Sequence, residues 1–116
     1  MKEIKAYIRR DEVNQIVEKL QAAGAPGVTI IDIHPVGYSY AENCFARHGA
    51  RVVERYRYLA IVKLEIVCPE DHLDSLVQVI QEQCRTGNPG DGMIFVSNVS
   101  DAIRIRDGVR GERALR

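Results

Sequence analysis

Residues 58–80 read YLAIVKLEIVCPEDHLDSLVQVI, and two different periodicities meet within them. In the first ten residues apolar side chains alternate with Lys63 and Glu65, which is the period of a half-buried strand. After Pro69 the apolar residues recur every three to four positions, and acidic residues follow the proline directly. This pattern predicts an amphipathic helix with the acidic residues near its positive end. The segment is therefore predicted to be a strand followed by a helix.

The same order of elements extends in both directions. A further strand is predicted over residues 93–99, so this half of the chain is strand–helix–strand. The N-terminal half repeats the order, with a strand over residues 4–8, a helix from Val13 to near Gly24 and a strand over residues 28–34. Two such halves predict the ferredoxin-like βαββαβ fold, an α+β arrangement with two helices on one face of a four-stranded antiparallel sheet.

The composition excludes several classes of protein. The 116 residues are enough for one domain, predicted to span 1–116. Sixteen basic and sixteen acidic residues cancel, which argues against a protein that binds nucleic acid or anionic membranes. No apolar run approaches the roughly 20 residues that span a bilayer, and the N-terminus does not resemble a signal peptide.

The three cysteines, Cys44, Cys68 and Cys84, are an odd number without paired spacing. They predict a reducing, cytoplasmic environment rather than a disulfide framework, with Cys68 and Cys84 in the core. Cys44 and His48 would suit a metal pair only on a helix, and nothing nearby supplies further ligands. No metal site is therefore predicted.

Residues 37–57, GYSYAENCFARHGARVVERYR, show no sustained periodicity. They form a long loop between the second and third predicted strands. Such a segment is unusual in a domain of this size, and loops of this kind often carry function. We expect a regulatory loop here; a hairpin without a role is the alternative.

One face of the predicted sheet has nothing to cover it. The two helices occupy the other face, and a chain this short has no further layer to supply. Association of subunits is therefore predicted.

The loop RTGNPGDG precedes the last strong strand and contains Gly90, Asp91 and Gly92. Its glycines permit left-handed backbone angles and let main-chain N–H groups approach a phosphate closely. The alternative is an ordinary turn from helix to strand.

Residues 100–116 are predicted to form a C-terminal strand and tail. Within them Arg104 and Arg106 alternate with isoleucines, which would place both guanidiniums on one strand face about 7 Å apart. Two arginines so placed suit a polyphosphate. A solvated edge of the sheet is the alternative.

Taken together, these segments resemble a known family. Residues 85–115, RTGNPGDGMIFVSNVSDAIRIRDGVRGERAL, are similar to the C-terminal signature of the PII (nitrogen regulatory) signal-transduction proteins. Thr-Gly, Gly-Asp-Gly, a strand reading IFV and Ala-Ile-Arg-Ile-Arg follow in the family's order. Residues 1–30 resemble the family's opening, and KLEIV at 63–67 resembles its middle strand. The resemblance covers most of the chain and fails mainly in residues 38–57.

The resemblance implies a homotrimer of ferredoxin-like subunits that binds an adenine nucleotide in clefts between neighbours and catalyses no reaction. It also implies a role for each matching position. The adenine and ribose end would be lined by Thr29, Glu65 and Val67. The phosphates would meet Gly37 and the adjoining backbone at Tyr38, main-chain groups of Gly90, Asp91 and Gly92 beside Met93, and the side chains of Arg104 and Arg106.

Three departures from the family mark this chain as divergent. Met93 stands where the family usually has a lysine that contacts the terminal phosphate of ATP, and that charge-assisted contact is lost. We therefore expect ATP to lose its advantage over ADP or AMP. Ser39 replaces a glutamine that helps to hold magnesium and 2-oxoglutarate, so magnesium binding is left open. Val52 aligns with a loop tyrosine that some members have modified.

The implied function is regulation. Nucleotide in the cleft would change the order of the loop, and a partner protein, by analogy a membrane transporter or metabolic enzyme, would be bound or released. A second effector such as 2-oxoglutarate or bicarbonate is left open, and no resident cofactor is expected. Two alternatives remain: a slow nucleotide hydrolase using Asp91, and a metal-handling module of related fold using His34, His48 and His72.

Overall fold

The computed structural model of the protein describes residues 1–35, 61–88 and 90–116. Two helices pack on one face of a four-stranded antiparallel sheet. The elements are β1 (Lys2–Arg9), α1 (Val13–Ala22), β2 (Thr29–Asp32), β3 (Ile61–Cys68), α2 (Leu73–Cys84) and β4 (Met93–Asn98). The predicted ferredoxin-like fold is confirmed, with β2 shorter than the strand expected over residues 28–34.

The strand order is β2-β3-β1-β4, so the N-terminal strand lies inside the sheet. β1 pairs antiparallel with β3 on one side and with β4 on the other. Ile4, for example, lies between Ile66 and Val96 in this register. The glycine-rich loop that leads into β4 is thereby placed next to the end of β1.

The core lies between the sheet and the helices. Alternate residues of β1 and β3 point toward the helices, as their period-2 pattern predicts. Burying each large aliphatic side chain stabilises the fold by about 1.5–3 kcal/mol. The core residues are Ile4, Ala6, Ile8, Ile16, Leu20, Val62, Leu64, Ile66, Cys68, Leu76, Ile80 and Cys84.

The duplication extends to the helix starts. A 3-10 turn precedes each helix, Arg10–Glu12 before α1 and Glu70–His72 before α2, and both turns carry acidic residues. Cys68 and Cys84 are buried, as predicted for core positions. Burial raises the pKa of both thiols, that of Cys84 to about 11. Both thiols are therefore protonated and poor nucleophiles.

The predicted C-terminal strand through Arg104 and Arg106 is wrong. Ile103 makes an isolated antiparallel bridge to Arg110, and the chain turns back on itself between them. We call residues 102–111 the C-terminal hairpin. A 3-10 turn, Gly111–Leu115, follows it.

Turn chemistry explains the difference. The N–H of Arg104 donates to the carbonyl of Val109 at 2.9 Å, and the N–H of Gly108 donates to the carbonyl of Arg104 at 2.7 Å. Gly108 has a φ of 73°, which a glycine adopts without strain. The Asp107–Gly108 pair therefore outweighs the alternating pattern that predicted a strand.

Several predictions fall on the ranges 36–60 and 89, outside the described residues. They include the regulatory loop at 37–57, the site residues Gly37 and Tyr38, and the Cys44–His48 pair. Within the described ranges, no helix is both long enough and apolar enough to cross a membrane.

Candidate functional site

The sheet face opposite the helices, which we call the open face, mixes charged and apolar side chains. Ion pairs join Lys5 to Glu3 at 3.3 Å and Lys63 to Glu65 at 2.8 Å. At the β4 side Phe95 is 48% exposed and meets the ring of Tyr7 edge-on, with centroids 5.7 Å apart. The described chain leaves this apolar surface uncovered, and subunit association stays a prediction.

The residues predicted for the adenine and ribose end lie together. Thr29 in β2 is directly opposite Glu65 in β3, and Val67 lies two residues further along the same face. The Glu65 carboxylate accepts a hydrogen bond from Lys63, which raises the pKa of Lys63. The structure thus groups three of the predicted site residues at the β2–β3 edge of the open face.

The glycine loop, whose described residues are 85–88 and 90–92, is organised around the side chain of Asp91. Its carboxylate accepts hydrogen bonds from the backbone N–H groups of Thr86 at 2.8 Å and Gly87 at 2.9 Å, and from the Thr86 hydroxyl. It also accepts one from the guanidinium of Arg9 at 3.1 Å. These bonds, chiefly the one from the Thr86 hydroxyl, lower the pKa of Asp91 to about 2. The Asp91 side chain therefore links the end of the loop to its beginning.

Three glycines of the loop have positive φ angles, 83° at Gly87, 97° at Gly90 and 114° at Gly92. A Cβ atom at Gly92 would lie 2.0 Å from the carbonyl oxygen of Tyr7 in β1, so no side chain fits there. The loop backbone therefore packs directly on β1. This close approach requires glycine, whereas the pattern of residue types alone left an ordinary turn as the alternative.

Arg9, the last residue of β1, is a site residue that the sequence analysis missed. Its guanidinium donates to the carbonyls of Gly90 at 3.2 Å and Cys84 at 3.4 Å, besides the carboxylate of Asp91. The neighbouring Arg10 pairs instead with exposed Asp32 at 3.0 Å. Nothing in the local sequence distinguishes the two arginines, because the partners of Arg9 lie 75 to 82 residues away.

Met93 opens β4 directly after the loop and lies opposite Tyr7 on the open face. Its side chain is 40% exposed and carries no charge. On the helix side, a groove of about 370 Å³ runs beside the loop, and Ile8, Ile80 and Ile94 contribute to its lining. The position that predicted a changed nucleotide preference is thus an accessible thioether next to the glycine loop.

The two arginines of the C-terminal hairpin have different environments. Arg104 donates to Asp107 at 2.9 Å and to the backbone carbonyls of Arg113 and Arg116 at 2.7 and 3.4 Å. Arg106 has a side chain 79% exposed and lies 3.8 Å from Asp107. Arg104 therefore holds the chain that follows the hairpin, while Arg106 is accessible to an anion.

The predicted site residues occupy opposite edges of the sheet. Thr29 lies on β2 at one edge, and Met93 lies on β4 at the other, with β3 and β1 between them. Three strand spacings separate the two edges by roughly 14 Å. Within one described chain the residues predicted for the adenine end are therefore not in contact with the glycine loop.

Neither alternative function gains a site from the described ranges. There, no three His, Cys, Asp or Glu side chains group as metal ligands, and His34 and His72 belong to no such cluster. The carboxylate of Asp91 is occupied by donors, and its pKa of about 2 makes it a weak general base.

Comparison with known proteins agrees with the resemblance inferred from the residues. The family model described as nitrogen regulatory protein P-II matches residues 1–109. The nitrogen regulatory protein P-II of Cereibacter sphaeroides is 37% identical over 115 residues, which cover 99% of this chain and 100% of that protein. A P-II homolog of Arabidopsis thaliana is 39% identical over 96% of this chain, which spans 56% of that relative's length.

A solved structure agrees as well. The crystal structure of Arabidopsis thaliana PII bound to citrate superposes with a TM-score of 0.74 at 35% sequence identity. The match covers 97% of this chain and 90% of that one. Similarity of both sequence and fold extends over almost the whole chain.

Proposed function

The chain belongs to the nitrogen regulatory protein P-II family, and on this premise we propose that it is a signal-transduction protein that binds an adenine nucleotide between subunits. The observation that carries the proposal is the preformed glycine loop. Asp91 and Arg9 form an ion pair there, and Gly92 brings the backbone close to β1. A loop of this kind can offer main-chain groups to phosphate without first becoming ordered.

The residues predicted for the adenine end and the glycine loop lie at opposite edges of the sheet, which supports a cleft between subunits. A nucleotide in such a cleft would place its base near Thr29, Glu65 and Val67 of one subunit and its phosphates near the glycine loop of a neighbour. A homotrimer would bring the two edges together and cover the apolar part of the open face. The exposed Arg106 would reach the phosphates, and Ile105, fully exposed at the tip of the C-terminal hairpin, would be covered by the neighbour.

ADP and AMP are the proposed physiological ligands. ATP would bring a further negative charge past the glycine loop, where Met93 offers no cation in return. Magnesium is not required in this proposal, because Ser39 stands where the family has the glutamine that helps to hold it. Met93→Lys should therefore raise ATP affinity selectively, by about tenfold, and leave AMP nearly unchanged.

Regulation of a partner is the proposed output. The segment at 37–57 would change its order when nucleotide binds. It would then bind or release a partner, either a membrane transporter or a metabolic enzyme, as membership of the family suggests. A small carboxylate or bicarbonate is proposed as a second effector. The Arabidopsis PII structure, described as bound to citrate, supports including such anions in the test.

Titration calorimetry and light scattering test the proposal together. The protein is titrated with AMP, ADP and ATP, each with and without magnesium, 2-oxoglutarate and bicarbonate, in wild type and Met93→Lys. We expect a trimer, ADP or AMP binding at least as tightly as ATP in the wild type, and a selective gain for ATP in the variant. A stable 13.1 kDa monomer that binds none of the three would refute the proposal. Release of phosphate in the same samples would favour the hydrolase alternative.

A further inference from the structure

We propose that Arg9 is the positioning residue of the glycine loop, which it holds in shape while it neutralises Asp91 beside the incoming phosphates. This inference rests on the proposed function, since it concerns how the same loop receives its ligand. Its foundation is a contact that no local motif predicts. One guanidinium at the end of β1 reaches the residue that precedes the loop, Cys84, and two adjacent residues near the end of the loop, Gly90 and Asp91.

The geometry gives Arg9 three anchors. It donates to the carbonyl of Cys84, where α2 ends, and to the carbonyl of Gly90 and the carboxylate of Asp91 further along the loop. The side chain is about a quarter exposed and bridges elements separated by more than 70 residues in sequence. A guanidinium can serve three such acceptors in fixed directions, whereas an ammonium acts as a single point charge.

Charge gives Arg9 a second role. The carboxylate of Asp91 is ionised at neutral pH and lies inside a loop that is proposed to hold phosphate. Alone, it would repel that phosphate, and the repulsion would grow with the charge on the ligand. Arg9 is 3.1 Å away and makes the pair neutral overall. The backbone N–H groups of the loop can then bind phosphate without repulsion from the Asp91 carboxylate.

Arg9→Gln tests both roles, because it removes the charge and shortens the reach while keeping an amide donor. Arg10→Gln is the matched control, since it is the same substitution at the next residue, whose partner is the exposed Asp32. In the full-length protein we expect Arg9→Gln to weaken ADP binding by at least about tenfold. The loss should be smallest for AMP and largest for ATP. Arg10→Gln should bind all three like the wild type.

Two further variants separate position from charge. Arg9→Lys keeps the charge, so it should restore the wild-type ratio of AMP to ATP affinity while absolute affinity stays below wild type. The double variant Arg9→Gln/Asp91→Asn removes both charges. Its loss of affinity should therefore differ less between AMP, ADP and ATP than the loss in Arg9→Gln. If Arg9→Gln does not fold, Arg9→Lys and the double variant decide the same question.

Hydrogen exchange of the ligand-free protein distinguishes this inference from the proposed function. The backbone amides of Thr86 and Gly87 should exchange faster in Arg9→Gln than in wild type or Arg10→Gln, because the carboxylate they bond loses its anchor. If the wild type binds no nucleotide, the proposed function fails, and these amides still decide whether Arg9 positions the loop. Wild-type exchange and wild-type binding of all three nucleotides in Arg9→Gln would overturn the inference alone. An equal loss for all three would overturn the role of charge.

Discussion

The glycine loop and the C-terminal hairpin are both short segments that contain charged residues and turn at glycines, yet different contacts stabilise them. The loop is tied to the sheet, through Arg9 and Asp91 and through the contact of Gly92 with β1. The hairpin is held mainly by bonds within the C-terminal segment, such as the pair between Arg110 and Asp101 at 2.8 Å. The loop is therefore held in shape by contacts with β1, whereas the hairpin leaves Ile105 fully exposed at its tip.

The largest expected difference between the loop and the hairpin is the loss of stability when a glycine is replaced by alanine. Gly92→Ala would force a Cβ atom to within 2.0 Å of the Tyr7 carbonyl at a φ of 114°, so the free energy of unfolding should fall by about 3 kcal/mol or more. Gly108→Ala in the hairpin also has a positive φ, but its Cβ would meet no atom within 4 Å. It should cost about 1–2 kcal/mol. Equal losses in urea denaturation would show that the loop does not depend on its contact with β1.

The two arginines of the hairpin are expected to have different roles, ligand binding for Arg106 and stabilisation of the following residues for Arg104. Arg106→Gln should weaken ADP binding by about 1.5–3 kcal/mol without changing the melting temperature, because its side chain is mostly exposed. Arg104→Gln should instead loosen the carbonyls of Arg113 and Arg116. Calorimetry and hydrogen exchange of residues 111–116 measure the two effects. A melting temperature lowered by Arg106→Gln, or unchanged exchange in Arg104→Gln, would contradict this assignment.

Acid should affect the loop more than the hairpin. The pKa of Asp91 is lowered from 3.8 to about 2 in the folded state, so its carboxylate stabilises the fold above the unfolded pKa. That contribution is lost as the pH falls from about 4 toward 2. Asp91→Asn should lower the free energy of unfolding by about 1–3 kcal/mol at pH 7 and weaken its acid dependence.

The matched substitution in the hairpin is Asp107→Asn. Its carboxylate is more exposed than that of Asp91, so we expect a loss of about 0.5 kcal/mol or less at pH 7. Unfolding followed from pH 7 to pH 2 compares both variants with the wild type. An acid transition identical in Asp91→Asn and wild type would mean that this carboxylate does not organise the loop.

Local patterns were sufficient for the fold and for the family. The alternation around Lys63 and Glu65 and the helical repeat after Pro69 predicted β3 and α2, because burial dictates both periods. The ordered signature from Thr86 to Arg106 is sufficient to indicate the family. These signals lie in neighbouring residues, where sequence spacing and spatial spacing agree.

Other features depend on contacts that sequence spacing does not encode. Arg9 and Arg10 are identical residues side by side, and only the folded chain shows that the first reaches Gly90. The strand predicted through Ile103 failed because a local turn at Gly108 competed with the alternating pattern. The grouping of Thr29 with Glu65 was implied by family position, and the register of β2 with β3 supplies its physical basis.

The position of β1 has a consequence for biosynthesis. This strand precedes the other three in the chain, yet it is paired on both sides, with Lys2 opposite Cys68 in β3 and Asn98 in β4. On the ribosome its edge toward β3 therefore has no partner until residues 61–68 have been synthesised, and its edge toward β4 has none until residues 93–98 follow. Such long-range pairing slows folding, and open edges favour association with other nascent chains.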